Sequence, residues 1–450
     1  MSTHRATTRR DFLAQAMAAA AGASLVHLDA RSSPAAEPEK PLRIAALINT
    51  FYLASHAHVI LENFLEPYLF NGNVTQPGMQ VVSFYVDQIH ANDMSRDVAK
   101  QFNIKIYPTI AEALCAGGEQ LAVDGVLLIG EHGNYPTNAK AQVEYPRKQF
   151  FDQTVAVFKR SGRVAPVFCD KHLSYRWDWA KEMVDTARAM EIPLMAGSSV
   201  PLAERRPPLE LPAEAKITEA VSIHGGGLEG YDFHALEVLQ SLVEARRGGE
   251  TGVRNVQFLQ GESLWKAAEF GLWSSDLAAA AMSAEVGPDH ELTKLIRSRG
   301  QAATTENAAI HGIIVHYRDG LRGVALKVGN NGIRWNFACQ LAGEPRPLAT
   351  SFHVGPWQNR NLFKALSHAI QTHFREHKAP YPVERTLLTS GILDVAMDSR
   401  LAGGKVIDTP QLDVAYAPQD FRAMREMGAT WKIITDDMPA PRGIERVGIH

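Results

Sequence analysis

The sequence predicts a two-domain α/β protein, a doubly wound parallel sheet followed by an α/β domain built on an open, largely antiparallel sheet. Three observations predict it. The chain has 450 residues, too many for one ordinary domain. Between residues 42 and 196, short apolar or β-branched runs alternate with segments of helical periodicity, the pattern of parallel strands joined by crossover helices. Later strand-like runs are joined by turn signals at Asp319-Gly320 and Asn330-Asn331-Gly332, which suit antiparallel hairpins.

Residues 42–48 read as a first buried strand, and 57–70 have apolar residues at helical spacing until Asn71-Gly72-Asn73 and Pro77-Gly78 break them. Residues 79–86 form a second strand that ends at Asp87. Short helices follow at 96–102 and 110–115, then an apolar strand at 124–129. A helix at 148–161, a strand at 165–168, a helix at 177–190 and a strand at 193–196 complete the first domain, 41–200. Residues 201–212 hold four prolines and read as a segment crossing to the second domain, 201–450. There, 232–245 is a helix stopped by Arg246-Arg247-Gly248-Gly249, 253–260 and 308–328 are strand-rich, and 361–376 and 383–400 are helices.

Composition narrows the function. Hydrophobic residues make up 45% and charged residues 21%, enough for a real core. The net charge of −3, with no long run of one sign, argues against a nucleic-acid groove or a polybasic membrane face. Cys115, Cys169 and Cys339 are odd in number and far apart, so they suit neither a zinc site nor a disulfide framework. At the start, Thr8-Arg9-Arg10-Asp11-Phe12-Leu13 and the apolar residues 12–26 form a twin-arginine export pattern. The stretch is too short for a permanent membrane span. The expectation for residues 1–40 is a signal and linker, with the twin-arginine machinery as partner and the periplasm as destination. That pathway carries folded proteins, often with a cofactor in place.

Several motifs fall in a telling order. The strand ending at Asp87 is followed by RDVAKQFNIKIYPTIAEAL, then VDGVLLIGEHGNYP, then APVFCDKHLSYRWDWAKEMVDTARAMEIPLMAGSSV. Later come HGGGLEGYDFHALEVL and PYPVERTLLTSGILDVAMDSRLAGGKV. In this order they resemble the Gfo/Idh/MocA oxidoreductases over most of the chain beyond residue 42. The resemblance implies a Rossmann-like first domain, a substrate domain after it, and NAD or NADP as cofactor. The sequence departs from the family where G-x-G-x-x-G would follow the first strand. Residues 47–56 read LINTFYLASH, without glycine, and Phe51 and Tyr52 bring bulk to the pyrophosphate position. The helix start that follows still offers N–H groups to an anion. The family's Glu-Lys-Pro loop reads Asp170-Lys171-His172.

By this resemblance, Lys171 is the first candidate for proton transfer with a substrate hydroxyl. A solvated lysine at a helix start is the plainer alternative. His234 is the second; the family places an acid four residues before it, where this chain has Gly230, so Glu229 or Asp232 could polarise it after a one-residue slip. A helix-capping Asp232 beside a core histidine is the competing reading. Asn49, Thr50 and Ser55 would border the pyrophosphate, Asp87 the adenosine ribose, and Glu131 and His132 the nicotinamide, with Asn134 and Tyr135 on the same loop. His56, His58, His132, His172, His224 and His234 also come toward one cleft, where Glu131, Asp170 or Glu237 could join them around a metal. No tight motif such as H-E-x-x-H supports that, and no metal is expected. The leading function is NAD(P)-dependent oxidation or reduction of a sugar or sugar-like polyol, in a chain compatible with homo-oligomers. The alternatives are a descendant that binds a carbohydrate-like ligand without a dinucleotide, and a metal-assisted hydrolase or lyase.

Overall fold

The computed structural model describes residues 40–212, 214–301 and 310–444, so the arginine pair and the apolar stretch after it lie outside the described residues. The first sheet is built from β1 (Leu42–Ile48), β2 (Met79–Val86), β3 (Lys105–Tyr107), β4 (Gly125–Ile129), β5 (Val167–Asp170) and β6 (Leu194–Gly197). They lie in the order β3-β2-β1-β4-β5-β6 and every pair is parallel. Helices α1 (His56–Leu65), α2 (Ser95–Phe102), α3 (Ile110–Leu114), α4 (Arg147–Ser161) and α5 (Trp177–Ala189) make the crossovers. β1 and β4 are wholly buried along their paired lengths, which is why they read as continuous apolar runs rather than alternating ones. The strand order reverses between β1 and β4, and a crevice opens beyond the ends of such strands.

The helix expected at 57–70 stops at Leu65. Pro67 disfavours helical geometry at the residue before it, and Glu66 is extended, with φ −132° and ψ 153°. Tyr68–Phe70 then pairs antiparallel with Asn73–Thr75 around Asn71-Gly72.

The proline-rich stretch does more than cross between domains. It supplies β7 (Glu204–Arg206), an edge strand of the second sheet. That sheet adds β8 (Ile217–His224), β9 (Val253–Gln260), β10 (His311–Tyr317), β11 (Arg322–Lys327), β12 (Trp335–Leu341), β13 (Leu348–His353) and β14 (Ile407–Asp408). Its order is β14-β9-β10-β11-β8-β12-β13-β7, antiparallel except for the pair β8–β11. Helices α6 (Gly230–Val243), α7 (Glu262–Glu269), α8 (Ser275–Val286), α9 (Glu291–Arg297), α10 (Asn359–Glu376) and α11 (Val383–Leu401) complete the described helices longer than a turn.

Both faces of the second sheet are covered. α6 and α11 join it to the main core. On the other face, Leu264, Trp273, Met282 and Ile296 of the α7–α9 layer pack on Val221, Ile223, Ile314 and Leu326 as a separate core. α10 turns back to the first domain, where Gln371 Nε2 donates to Asn63 O at 2.8 Å and Asn63 Nδ2 donates to Ser367 Oγ at 3.2 Å. Among the described residues no helix is long and apolar enough to cross a membrane. All three cysteines are buried and free.

Candidate active site

The crevice lies where β1, β4 and β5 end together, and the first turn of α6 closes it from the second domain. Four non-glycine residues at its rim have left-handed backbone: Ala54 (φ 66°), His132 (φ 65°), Lys171 (φ 65°) and Glu229 (φ 67°). Each costs about 1–2 kcal/mol, a strain that clusters at functional sites.

One buried charge network joins the strand ends. Lys171 Nζ donates to Glu131 Oε1 at 2.8 Å, and Arg147 Nη2 donates to Glu131 Oε2 at 2.5 Å. Arg147 also reaches Asp170 O with Nε at 3.1 Å and lies 3.2 Å from His172 Nδ1 with Nη1. Its stem passes over Gly130, where a Cβ would stand 2.6 Å from Arg147 Cγ, so glycine is required there. Burial pushes the Glu131 carboxyl up, but Lys171 and Arg147 outweigh it and hold the group well below the usual carboxylate range. His172 Nε2 stands 3.2 Å from Glu229 Oε1, off the line of a good hydrogen bond. On the β1 side, His56 Nδ1 is 2.6 Å from Asp170 Oδ2, with both groups buried.

His234 faces the same cleft. Its Nδ1 lies 2.6 Å from Ser198 Oγ, while Ser198 N donates to Glu237 Oε2 at 3.3 Å. Burial, then the charges of Lys171 and His56, keep its pKa well below the ordinary histidine value, so it is neutral at neutral pH and can accept a proton. Neither acid considered from the sequence is its hydrogen-bond partner. Asp232 Oδ2 accepts from Glu229 N at 2.7 Å in a capping box, and its Oδ1 lies 3.0 Å from His224 Nε2 and 2.7 Å from His311 Nε2. The physical reason is the helix start itself, whose free N–H groups draw both acids inward. Tyr231 lies flat over the glycine segment, and a Cβ at Gly226 would stand 1.9 Å from its ring. Tyr231 stacks on Trp335 at 5.5 Å, and the His234 ring stands edge-on to Trp335 at 5.3 Å.

His224, Asp232 and His311 are the three ligand-type groups that converge among the described residues, a set that shares only His224 with the residues the sequence suggested for a metal. One carboxylate oxygen serves both imidazoles and Lys327 shares their register row, while His224 Nδ1 is buried without a hydrogen-bond partner among the described residues. His58 is set apart from the cleft groups; its Nδ1 accepts from Ala54 N at 3.2 Å.

The groove that would take a dinucleotide is engaged by the chain itself. Phe51 is fully buried against Phe84, pointing into the core, whereas Tyr52 stays at the rim, stacked on His90 at 4.1 Å. Ser55 caps α1, and its Oγ accepts from Tyr52 N at 3.1 Å and His58 N at 3.3 Å, while Ser55 N donates to Tyr52 O at 3.0 Å. Thr50 is buried. Asn49 ties the end of β1 to the loop after β4, its Nδ2 donating to His132 O at 3.3 Å. Both oxygens of Asp87 accept tyrosine hydroxyls, from Tyr85 at 2.6 Å and Tyr135 at 2.7 Å. Gln88 is clasped by Asn134, giving Nε2 to its O at 3.2 Å and taking its N at 2.8 Å. As arranged, these residues do not fit a dinucleotide in the usual place. The turn's donors at Tyr52, Ala54, Ser55 and His58 are spent, and Tyr135 takes the hydrogen bond that a ribose hydroxyl would give.

Sequence reasoning did not find Arg147, Ser198 or the pairing of His56 with Asp170. Ser198 carried a readable signal, small residues just past the end of a buried strand, where ligands bind. Arg147 carried none, because nothing local marks an arginine for full burial.

No protein-family model matches the sequence, and no curated protein matches it. Solved structures do match the fold. The GenD2 protein of gentamicin A biosynthesis, solved in complex with NAD, is similar with a TM-score of 0.53 at 12% identity, over 85% of this chain and 99% of that one. The chain shares that fold. Also similar are a myo-inositol 2-dehydrogenase from Lactobacillus plantarum (TM-score 0.49, 11% identity, 82% of this chain and 99% of that one) and a probable dehydrogenase from Thermotoga maritima (TM-score 0.48, 11% identity, 82% and 100%). It is the Gfo/Idh/MocA fold, a Rossmann-like sheet followed by a mixed, mainly antiparallel sheet.

Proposed function

We propose that the chain is an enzyme of the oxidoreductase fold that acts on a sugar or sugar-like polyol by moving a proton at a hydroxyl-bearing carbon. The observation that carries this reading is the convergence of Lys171, held by Glu131, with the neutral His234, held by Ser198, at the strand ends. A lysine ammonium can give a proton and a neutral imidazole can accept one, so the two suit opposite halves of a proton transfer. A polyol is supported by the lining. Asn49 Oδ1 and His132 Nε2 are buried without a hydrogen-bond partner among the described residues, and hydroxyls can serve both.

NAD or NADP is the cofactor suggested by the fold and by the NAD bound to GenD2. The closed groove and the capped turn favour the second reading, in which this cleft works on a carbohydrate-like ligand without a dinucleotide in that place. The proton-handling residues are common to both readings. The experiment is to incubate the full chain with a panel of inositols and methyl glycosides, each with and without added NAD+ or NADP+ as hydride acceptor, and follow substrate loss by mass spectrometry. At least one is expected to be consumed, and Lys171→Ala to slow it about 10²–10⁴-fold with the fold intact. Equal turnover by the variant would remove Lys171 from the chemistry.

A further inference from the structure

His56 and Asp170 stand 114 residues apart in sequence, yet meet in the cleft. His56 opens α1 and Asp170 ends β5, so both ride on rigid elements. The contact of 2.6 Å between His56 Nδ1 and Asp170 Oδ2 is short, and Arg147 Nε fixes the Asp170 backbone from the other side. Phe363 and His132 hold the imidazole edge-on, with ring centroids at 4.7 Å and 5.1 Å. A carboxylate at Nδ1 orients the ring and leaves the other nitrogen for a ligand. His56 Nε2 has no hydrogen bond to a described residue, which leaves it for a ligand.

A second observation points to a ligand beside it. His132 Nε2 and Asn49 Oδ1 are buried without partners, and their residues are joined by the bond from Asn49 Nδ2 to His132 O. Orphaned polar atoms on two neighbouring strand ends carry a real desolvation cost, which a bound hydroxyl-rich molecule would relieve.

We propose that His56 and Asp170 form a second acid–base pair, in which His56 Nε2 takes the proton of a ligand hydroxyl bound against Asn49 and His132. This rests on reading the cleft as a polyol site. The ligand O–H bond breaks, the proton passes to Nε2, the electron pair stays on oxygen, and Asp170 balances the imidazolium. His56 thus acts on the β1 side of the cleft, apart from Lys171 and His234.

Carbethoxylation of the native full chain by diethyl pyrocarbonate, mapped by peptide mass spectrometry, tests the pair without a known substrate. His56 should be labelled ahead of the equally buried His234 and of His132, which is less buried. Asp170→Asn should slow that labelling about tenfold, the scale on which an orienting carboxylate tunes a metal-bound histidine. A native His56 that stays unlabelled until the protein unfolds would overturn the pair, and this arm needs no variant. Labelling in the presence of myo-inositol separates the two ideas. Protection of His56 supports both, whereas rapid labelling with no protection by any inositol of the panel keeps the activated imidazole and removes the polyol from it.

Discussion

At the scale of the residue, Arg147 organises the site. It is fully buried and holds Glu131, the Asp170 carbonyl and His172 together. A buried ion pair need not stabilise a protein relative to apolar residues, but removing one partner exposes the full desolvation cost of the other. Arg147→Met should therefore cost about 3–5 kcal/mol in urea unfolding, because Glu131 keeps only Lys171 and the Asp170 carbonyl loses its donor. A loss below about 1 kcal/mol would show that the network relaxes without it. Individual residues were legible where strand ends made them so. Lys171, Glu131 and His132 follow runs of buried apolar residues, and the structure brings them together. Partners across long separations were not legible. The choice of Ser198 over Glu229 or Asp232 for His234 depends on how two domains meet, which no local pattern encodes.

At the scale of the element, strands with dense apolar or β-branched runs were the clearest. β1, β2 and β9 have the bounds expected from their apolar or β-branched runs. The end of α1 was readable and was missed, since Glu66-Pro67 forbids the continuation that the apolar spacing suggested. β8, β12 and β13, and the α7–α9 layer, had weaker signals. In α8 the run Leu277 to Met282 is apolar on nearly every side, so no stripe distinguishes helix from strand. That layer gives the second sheet a core of its own, and leaves α6 free to present His234 and Glu229 to the crevice. The turn before α1 shows how one element carries function. Without glycines, it spends its N–H groups on Ser55 and His58, and so becomes a rigid seat for His56 rather than an anion cradle.

At the scale of the whole molecule, the buried histidines set the response to pH. Burial lowers His58, His132 and His373 to about 4, and lowers His172, His224 and His234 as well. These six are neutral when folded and charge on unfolding, so the unfolded chain binds more protons between about pH 4 and 6.5. Stability from them is complete above pH 6.5 and is lost as pH falls toward 4. Glu62, raised to about 7 by burial, and Glu237, raised likewise, act in the opposite direction, and the six outweigh the two. Below pH 4.5, protonation of the depressed Glu131 adds to the loss. Calorimetry should find a melting temperature nearly constant from neutral to mildly alkaline pH that falls steadily from pH 6.5 to 4.5. A constant or rising value across that window would contradict the neutral state of these histidines.

The whole molecule also poses the question on which the account turns. Its two sheets have the arrangement of a protein solved with NAD, while its own tyrosines and helix cap take up the groove. The direct measurement is a titration of the full chain with NADH and NADPH, read by nicotinamide fluorescence. Native mass spectrometry of the same preparation first establishes whether a dinucleotide comes with the protein. The account predicts no co-purified dinucleotide and no saturable binding below millimolar cofactor. A dinucleotide carried through purification, or saturable binding at micromolar concentration or tighter, would contradict it.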